Sequence, residues 1–475
     1  MIMPKKIFLI NPPFFHIPGK FQSQAVYTEP PLGLAYIASY IRKYYPGEAN
    51  IRIIDGAVME LTKEKILDEI QKEKPDIVGA SAVTLTSIFV KDLFKEIKTL
   101  FPECLTVAGG PHATALPFDM TPEVDIIVIG EGEETMVDIL KWMDGCSDKR
   151  NIKGIAYMEE GRQVLNEPRP YIEDIDSIPF PARDLLPMEK YTHQYMHKST
   201  TKGYSTILMT RGCPFNCRFC GVRKMWGSKA RYRSVDNILA ELHEITLKYA
   251  VSFIFFIDDT FTANRKRAEA ICHGIINTGL EIKWACFSRV DAIEPEFLAL
   301  LKRAGCVELQ VGVESGDQNV LNEINKKIKL DQVREAFAVI RSSGLQTKAF
   351  FMIGNPTETK ATVKKTIDFA IELNPTYAFF SILIPFPGIS IFDEFKGKGY
   401  IKTFDWSRYN WYGDPVFETE NLSKKDIIAL QREAELRFYL RPKKIGRYAM
   451  DAIISGQFKV LFRNLFAFLS IVARR

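Results

Sequence analysis

Over the first 150 residues, short apolar runs at Ile7–Ile10, Ile51–Ile54, Ile77–Ala82, Leu105–Ala108 and Ile126–Ile129 alternate with amphipathic segments at about Leu32–Tyr44, Lys63–Lys72, Ser87–Leu100 and Glu133–Trp142. Runs that are apolar on both faces predict buried parallel strands, and the segments with helical periodicity predict the crossovers between them. Five such units predict a doubly wound, flavodoxin-like α/β domain over 1–150. Small or turn-forming residues follow each run: Asn11-Pro-Pro13, Asp55-Gly56, Ser81-Ala-Val-Thr84, Gly109-Gly-Pro-His112 and Gly130-Glu-Gly-Glu133. These loops fall at the carboxyl ends of the strands, where open parallel sheets take their ligands.

Prolines 168, 170, 179, 181 and 187 break the periodicity across 151–205. The apolar residues between them, Ile172, Ile175, Ile178, Phe180, Leu185 and Leu186, predict a packed connecting region. Alternation resumes over 206–400, with strands expected near Thr206–Thr210, Phe253–Ile257, Ile282–Phe287, Glu308–Val313, Lys348–Ile353 and Ala378–Ile384 and helices in the gaps. Six repeats predict a partial (β/α)6 barrel, and 401–475 reads as a C-terminal helical region. In Phe458–Arg475, Lys459, Arg463, Ser470 and Arg474 share one narrow helical face opposite a wide apolar one. That tail is read either as a peripheral membrane contact or as a helix docked on the barrel.

Composition narrows the class. With 46% hydrophobic and 25% charged residues the chain is an ordinary globular one, and a net charge of +5 over 475 residues gives no footprint for nucleic acid. The opening apolar run is too short for a secretory signal, so a reducing cytoplasmic setting is expected.

Three of the eight cysteines, Cys213, Cys217 and Cys220, lie in Arg211-Gly-Cys-Pro-Phe-Asn-Cys-Arg-Phe-Cys-Gly221, directly after the first strand of the second domain. A structural zinc wants four closed ligands, and no second Cys or His pair lies nearby. Three thiolates on one loop suit a [4Fe–4S] cluster with one iron left open. The other cysteines, Cys104, Cys146, Cys272, Cys286 and Cys306, are scattered and are expected to be buried small hydrophobes.

The spacing Cys-x3-Cys-x2-Cys, with Phe219 before the last cysteine, resembles the signature of radical S-adenosylmethionine (SAM) enzymes. That resemblance implies that the open iron chelates SAM. It also implies that Phe219 contacts SAM, that Asp258 and Asp259 at the second strand end meet its amino group, Arg289 its carboxylate, Glu314 its ribose and the Gly354 segment its adenine. Read singly, Asp258 could cap a helix, Glu314 could pair at the surface and Arg289 could form a rim salt bridge. Two positions depart from the family pattern: Pro356-Thr-Glu-Thr359 replaces Pro-Gly-Glu-Thr, and Pro387-Gly-Ile389 replaces Pro-Gly-Thr.

The Asn-Pro-Pro, Pro31-Leu-Gly-Leu-Ala-Tyr-Ile-Ala38, Gly-Gly-Pro-His and Gly-Glu-Gly-Glu segments together resemble the cobalamin-binding domain found upstream of many radical SAM cores. By that resemblance Asn11, Ser81, Thr84, Gly109, Gly110, His112, Gly130 and Glu131 line a cobalamin site. The Asp-x-His-x-x-Gly motif is missing, so the lower cobalt face is expected to lack that histidine. His112 is read either as a cobalt ligand or as a turn residue. The implied reaction is hydrogen abstraction by a 5′-deoxyadenosyl radical followed by methylation of an unactivated carbon on a small or lipid-like substrate, with electrons from a flavodoxin or ferredoxin. The alternatives are a radical oxidative cyclase without methyl transfer and a non-catalytic cobalamin sensor. A methylthio-inserting RNA enzyme is disfavoured, since Cys104 and Cys146 are too few for a second cluster.

Overall fold

The computed structural model describes residues 4–13, 29–191, 203–411 and 413–455. Residues 458–475, the predicted amphipathic tail, lie outside the described residues.

The first sheet contains β1 (Lys5–Asn11), β2 (Ala49–Asp55), β3 (Ile77–Ser81), β4 (Leu105–Gly109), β5 (Ile126–Val128), β6 (Ile155–Glu159) and β7 (Arg162–Leu165), in the order β2-β1-β3-β4-β5-β6-β7. β1 to β5 are parallel and show the expected flavodoxin-like order, with the switch between β1 and β3 opening a crevice beyond Asn11 and Ser81. Their interior positions, such as Ile7, Leu9, Ile77 and Ile126, are at most 1% exposed, as apolar runs covered on both faces require.

The boundary expected at residue 150 cuts this sheet. β6 and β7 extend it with antiparallel pairing. Their turn holds Glu160 at φ 49° and Gly161 at φ 76°, the two positive values of a type I′ hairpin turn. The remainder of the expected connecting region is packed. Ile172, Ile175 and Ile178 form a buried cluster with Leu32 and Tyr36 of the helix Leu32–Tyr44, and Leu208 and Ile257 pack against it. Arg183, fully buried, pairs at 2.6 Å with Glu241 of the helix Val235–Tyr249.

The second sheet comprises β8 (Tyr204–Ile207), β11 (Phe253–Phe256), β12 (Lys283–Ser288), β13 (Cys306–Glu314), β14 (Gln346–Ile353) and β15 (Tyr377–Ile382), all parallel, in the order β15-β14-β13-β12-β11-β8. Six consecutive βα units in monotonic order give the expected open barrel wall. A two-stranded ribbon, β9 (Thr210–Arg211) with β10 (Arg231–Tyr232), stands beyond the end of β8 and carries the cysteine segment between its strands. The sequence reading had not separated this ribbon from β8. Among the described residues no helix is long and apolar enough to cross a membrane.

Candidate cofactor site at the facing strand ends

The cysteine loop leaves the ribbon through Gly212, whose φ is 92°; a Cβ there would stand 2.3 Å from the Lys229 carbonyl oxygen, so only glycine fits. The loop is then fastened to the barrel. The Arg218 amide donates to the Ile324 carbonyl at 3.0 Å, the Arg218 side chain pairs with Glu323 and Glu394, and Asn325 Nδ2 donates to the Asn216 carbonyl at 2.7 Å.

All three cysteines are free thiols that influence one another electrostatically. Burial raises the Cys213 and Cys217 thiols and pushes Cys220 up to about 12. Cys220 is nevertheless open to solvent. Among the described residues no three His, Cys, Asp or Glu side chains converge on a single ion. A cubane does not require that, because each thiolate takes a different iron. The donor set therefore fits a three-cysteine cluster.

Two cations face this loop. The Arg289 guanidinium stacks 3.8 Å over the Phe215 ring and holds Asp291 at 3.1 Å. Lys326 Nζ lies 2.6 Å from Glu314 and 5.7 Å from the Phe219 ring, and its charge favours the Cys217 thiolate. Sequence reasoning missed Lys326, which follows a helix and sits on no strand end. Gly312 makes room for the pair, since a Cβ there would meet Glu314 Oε1 at 2.4 Å and Lys326 Nζ at 2.7 Å. Glu314 itself sits at φ 69°, a strained value for a residue with a side chain and one that clusters at functional sites. Arg289 thus forms a rim pair and Glu314 a buried one.

Asp258 caps no helix. Its carboxylate accepts the Met209 amide at 3.1 Å, and burial pushes it up to about 6. Asp259 is solvent-accessible yet enclosed by surrounding protein, and that enclosure together with neighbouring Asp258 pushes it up to about 7. A shallow cleft brings Asp259 and Thr260 together with Gly212, Cys213 and Tyr232. At the β14 end, Gly354 has φ 99° and a Cβ would lie 2.6 Å from the Phe417 ring. Glu358, buried, accepts the Gly354 and Asn355 amides at 2.7 and 2.9 Å, so its carboxylate shapes the loop from which the pattern's glycine is missing.

At the ends of the first sheet Ser81, Gly109, Gly110 and Gly130 are half-buried around the crevice. Gly130, at φ 79°, has nothing within 4 Å of where a Cβ would be, as a large flat ligand approaching the backbone needs. Asn11 donates to Asp55 at 2.8 Å. His112 is completely buried, with Nδ1 3.3 Å from Thr84 Oγ1 and Nε2 3.1 Å from Asp119, so both ring nitrogens already have protein partners. Glu131 is likewise committed: it bonds Arg211, Arg231 and the Ile172 amide. Of the remaining cysteines, Cys104, Cys272, Cys286 and Cys306 are buried as expected, and Cys146 is exposed instead.

The chain matches the family model of the radical SAM superfamily over residues 207–370 and that of the B12 binding domain over residues 23–140. It is 36% identical over 442 residues to an uncharacterized methyltransferase of Pyrococcus horikoshii, covering 92% of this chain and 93% of that one. It is 28% identical to the anaerobic magnesium-protoporphyrin IX monomethyl ester cyclase of Cereibacter sphaeroides over 87% of this chain and 67% of that one. The radical SAM methyltransferase TsrM of Kitasatospora setae, solved with cobalamin and a [4Fe–4S] cluster, shares the fold with a TM-score of 0.67 at 18% identity, over 83% of this chain and 75% of that one. The two-sheet architecture, the free thiol triplet and the glycine-lined crevice agree with these matches, and the chain belongs to the cobalamin-binding radical SAM enzymes, a class that works with SAM, a [4Fe–4S] cluster and cobalamin.

Proposed function

We propose that this enzyme methylates an unactivated carbon of a small or lipid-like substrate held between the two sheets. The observation that carries the reading is that the strand-end loops of the first sheet meet the cysteine loop of the second: Arg211, two residues before Cys213, pairs with Glu131 at 2.8 Å and with Glu133 at 2.5 Å. When bound, the cluster with SAM supplies a 5′-deoxyadenosyl radical and cobalamin supplies a transferable methyl group.

The chain's own residues position these groups. Cys213, Cys217 and Cys220 hold three irons and leave the fourth to SAM. Asp258 and Asp259 receive the SAM ammonium, Arg289 its carboxylate, Glu314 its ribose hydroxyls and the Gly354 backbone its adenine. Lys326 keeps Glu314 aimed. Asn11, Ser81, Thr84, Gly109, Gly110 and Gly130 bound the cobalamin crevice, the Thr84 hydroxyl being oriented by His112. The Phe215 and Phe219 rings shield the loop from water. An external flavodoxin or ferredoxin provides the electrons, and an oxygen-poor, reducing compartment preserves the cluster. The exposed apolar residues Ile445 and Met450 on the helix Pro442–Ser455 support a peripheral lipid contact by the C-terminal region. Loss of liposome flotation on deleting residues 450–475 is the expected result.

The relationship to the cyclase favours a second reading, radical oxidation or ring closure without methyl transfer. Anaerobic reconstitution with hydroxocobalamin, SAM, reductant and a native metabolite extract separates the two. Methyl transfer yields 5′-deoxyadenosine together with S-adenosylhomocysteine and a product heavier by one methylene; ring closure yields 5′-deoxyadenosine alone. Cys213→Ala is expected to abolish both the iron–sulfur absorbance and 5′-deoxyadenosine. A variant that keeps either one would defeat the reading.

A further inference from the structure

Glu131 lies in a loop that the cobalamin reading assigns to the ligand, yet its carboxylate has no acceptor capacity left. Oε1 accepts from Arg211 Nη1 at 2.8 Å and Arg231 Nη1 at 2.9 Å, and Oε2 accepts from Arg231 Nη1 at 3.0 Å and the Ile172 amide at 2.7 Å. About four lone-pair sites is all that a carboxylate offers. The group is also sealed, with side-chain exposures of 2% for Glu131, 3% for Arg211 and 2% for Arg231.

The two arginines are cross-strand partners in the β9–β10 ribbon. One carboxylate at the end of β5 therefore ties both strands from which the cysteine loop hangs. Tyr171 and Trp226 close the faces of the guanidinium groups, each at 4.9 Å. The far side of the cysteine loop is tied as well: Thr114 Oγ1 lies 3.6 Å from Met225 Sδ on the returning helix Val222–Trp226 and accepts the Gly130 amide at 3.0 Å. Both glycine loops of the first sheet thus grip the cysteine loop, one before it and one after it.

We propose that Glu131 is a positioning residue rather than a cobalamin contact: through Arg211 and Arg231 it locks the cysteine ribbon to the first sheet and sets the distance between the two cofactor sites. The inference rests on the cobalamin-dependent radical SAM reading above. Shifting the ribbon would strip two guanidinium groups of their shared carboxylate inside a buried interface, which makes the register stiff.

The test uses the full-length protein reconstituted with the cluster and hydroxocobalamin, comparing the native chain with Glu131→Gln and with Glu131→Asp. The aspartate keeps the charge but is one methylene short of reaching all its partners, so it guards against a glutamine variant that fails to fold. Three results are expected. Hydroxocobalamin affinity stays within about threefold in the variants, less than 1 kcal/mol. Amide hydrogen exchange across 210–232 rises about tenfold or more. The dipolar coupling between cob(II)alamin and the reduced cluster, measured by pulsed paramagnetic resonance, broadens from a narrow distribution to a wide one. A loss of hydroxocobalamin affinity of about tenfold or more with unchanged exchange would overturn the proposal and return Glu131 to the cofactor. An unchanged dipolar distribution in both variants would also overturn it. The family reading is judged separately, on the native chain alone, by its hydroxocobalamin binding and its 5′-deoxyadenosine formation.

Discussion

Two neighbouring pairs of acidic residues, one at the strand ends of each sheet, sit in opposite circumstances. In the first sheet Glu131 and Glu133 are buried against arginines. In the second, Asp258 and Asp259 have no ion-pair partner among the described residues, and both are pushed up, to about 6 and about 7. A carboxylate already matched to a guanidinium contributes architecture. One raised by enclosure and making no ion-pair contact is available to a cationic visitor. Similar residues in equivalent topological places have been divided between holding the site together and receiving what enters it.

Substitutions sharpen or break this contrast. The largest effect is expected for Glu131→Gln, which takes the carboxylate from the buried Arg231 while Arg211 keeps Glu133, and lowers stability by about 3–5 kcal/mol in urea melts. Gly354→Ala follows, at about 1–3 kcal/mol, because the residue must keep a left-handed φ with its methyl group against Phe417. Asp259→Asn should leave the melt unmoved and weaken SAM binding about tenfold, read by equilibrium dialysis. An equal loss of stability in Asp259→Asn and Glu131→Gln would erase the division of labour.

A further effect, read as a slope in pH, concerns Glu358, whose carboxyl burial pushes up to about 7. Because its folded value lies above its unfolded one, the folded state holds the proton longer, and stability falls as pH rises from the ordinary carboxylate range towards 7. The loss is on the order of 1 kcal/mol per pH unit at most. Glu358→Gln should flatten that slope in thermal melts compared between pH 5 and pH 7.5.

Strands with uninterrupted apolar faces, and the polar residues at their ends, were legible because both depend on local periodicity. Helices such as Leu32–Tyr44 and Val235–Tyr249 fall where the spacing put them, the latter capped by Ser234 accepting the Asn237 amide. The β6–β7 hairpin was not legible. Its turn is Glu160-Gly161 rather than the stronger Asn-Gly or Asp-Gly signal, and it stands just ahead of a proline-rich stretch. Partners of Glu131 were hidden for another reason: Arg211 and Arg231 lie 80 and 100 residues away, and no local pattern encodes a pairing over that distance. The same holds for Lys326, whose role depends on a gap that Gly312 leaves in a different element. His112 shows the converse. Its place in a strand-end loop was plain, and only the packing of Asp119 and Trp406 shows that it is enclosed.

The buried connection around Ile172, Ile175, Ile178 and Arg183 bears on how this protein can be rebuilt. Its two sheets are not interchangeable cassettes joined by a tether. A chimera cut at residue 150 would sever β6 and β7 from their sheet, and one cut at 205 would leave Glu131 facing a foreign ribbon. A workable graft of the first domain onto another barrel has to carry residues 4–183 and also install arginines at the positions of Arg211 and Arg231, so the unit of inheritance crosses the apparent domain boundary.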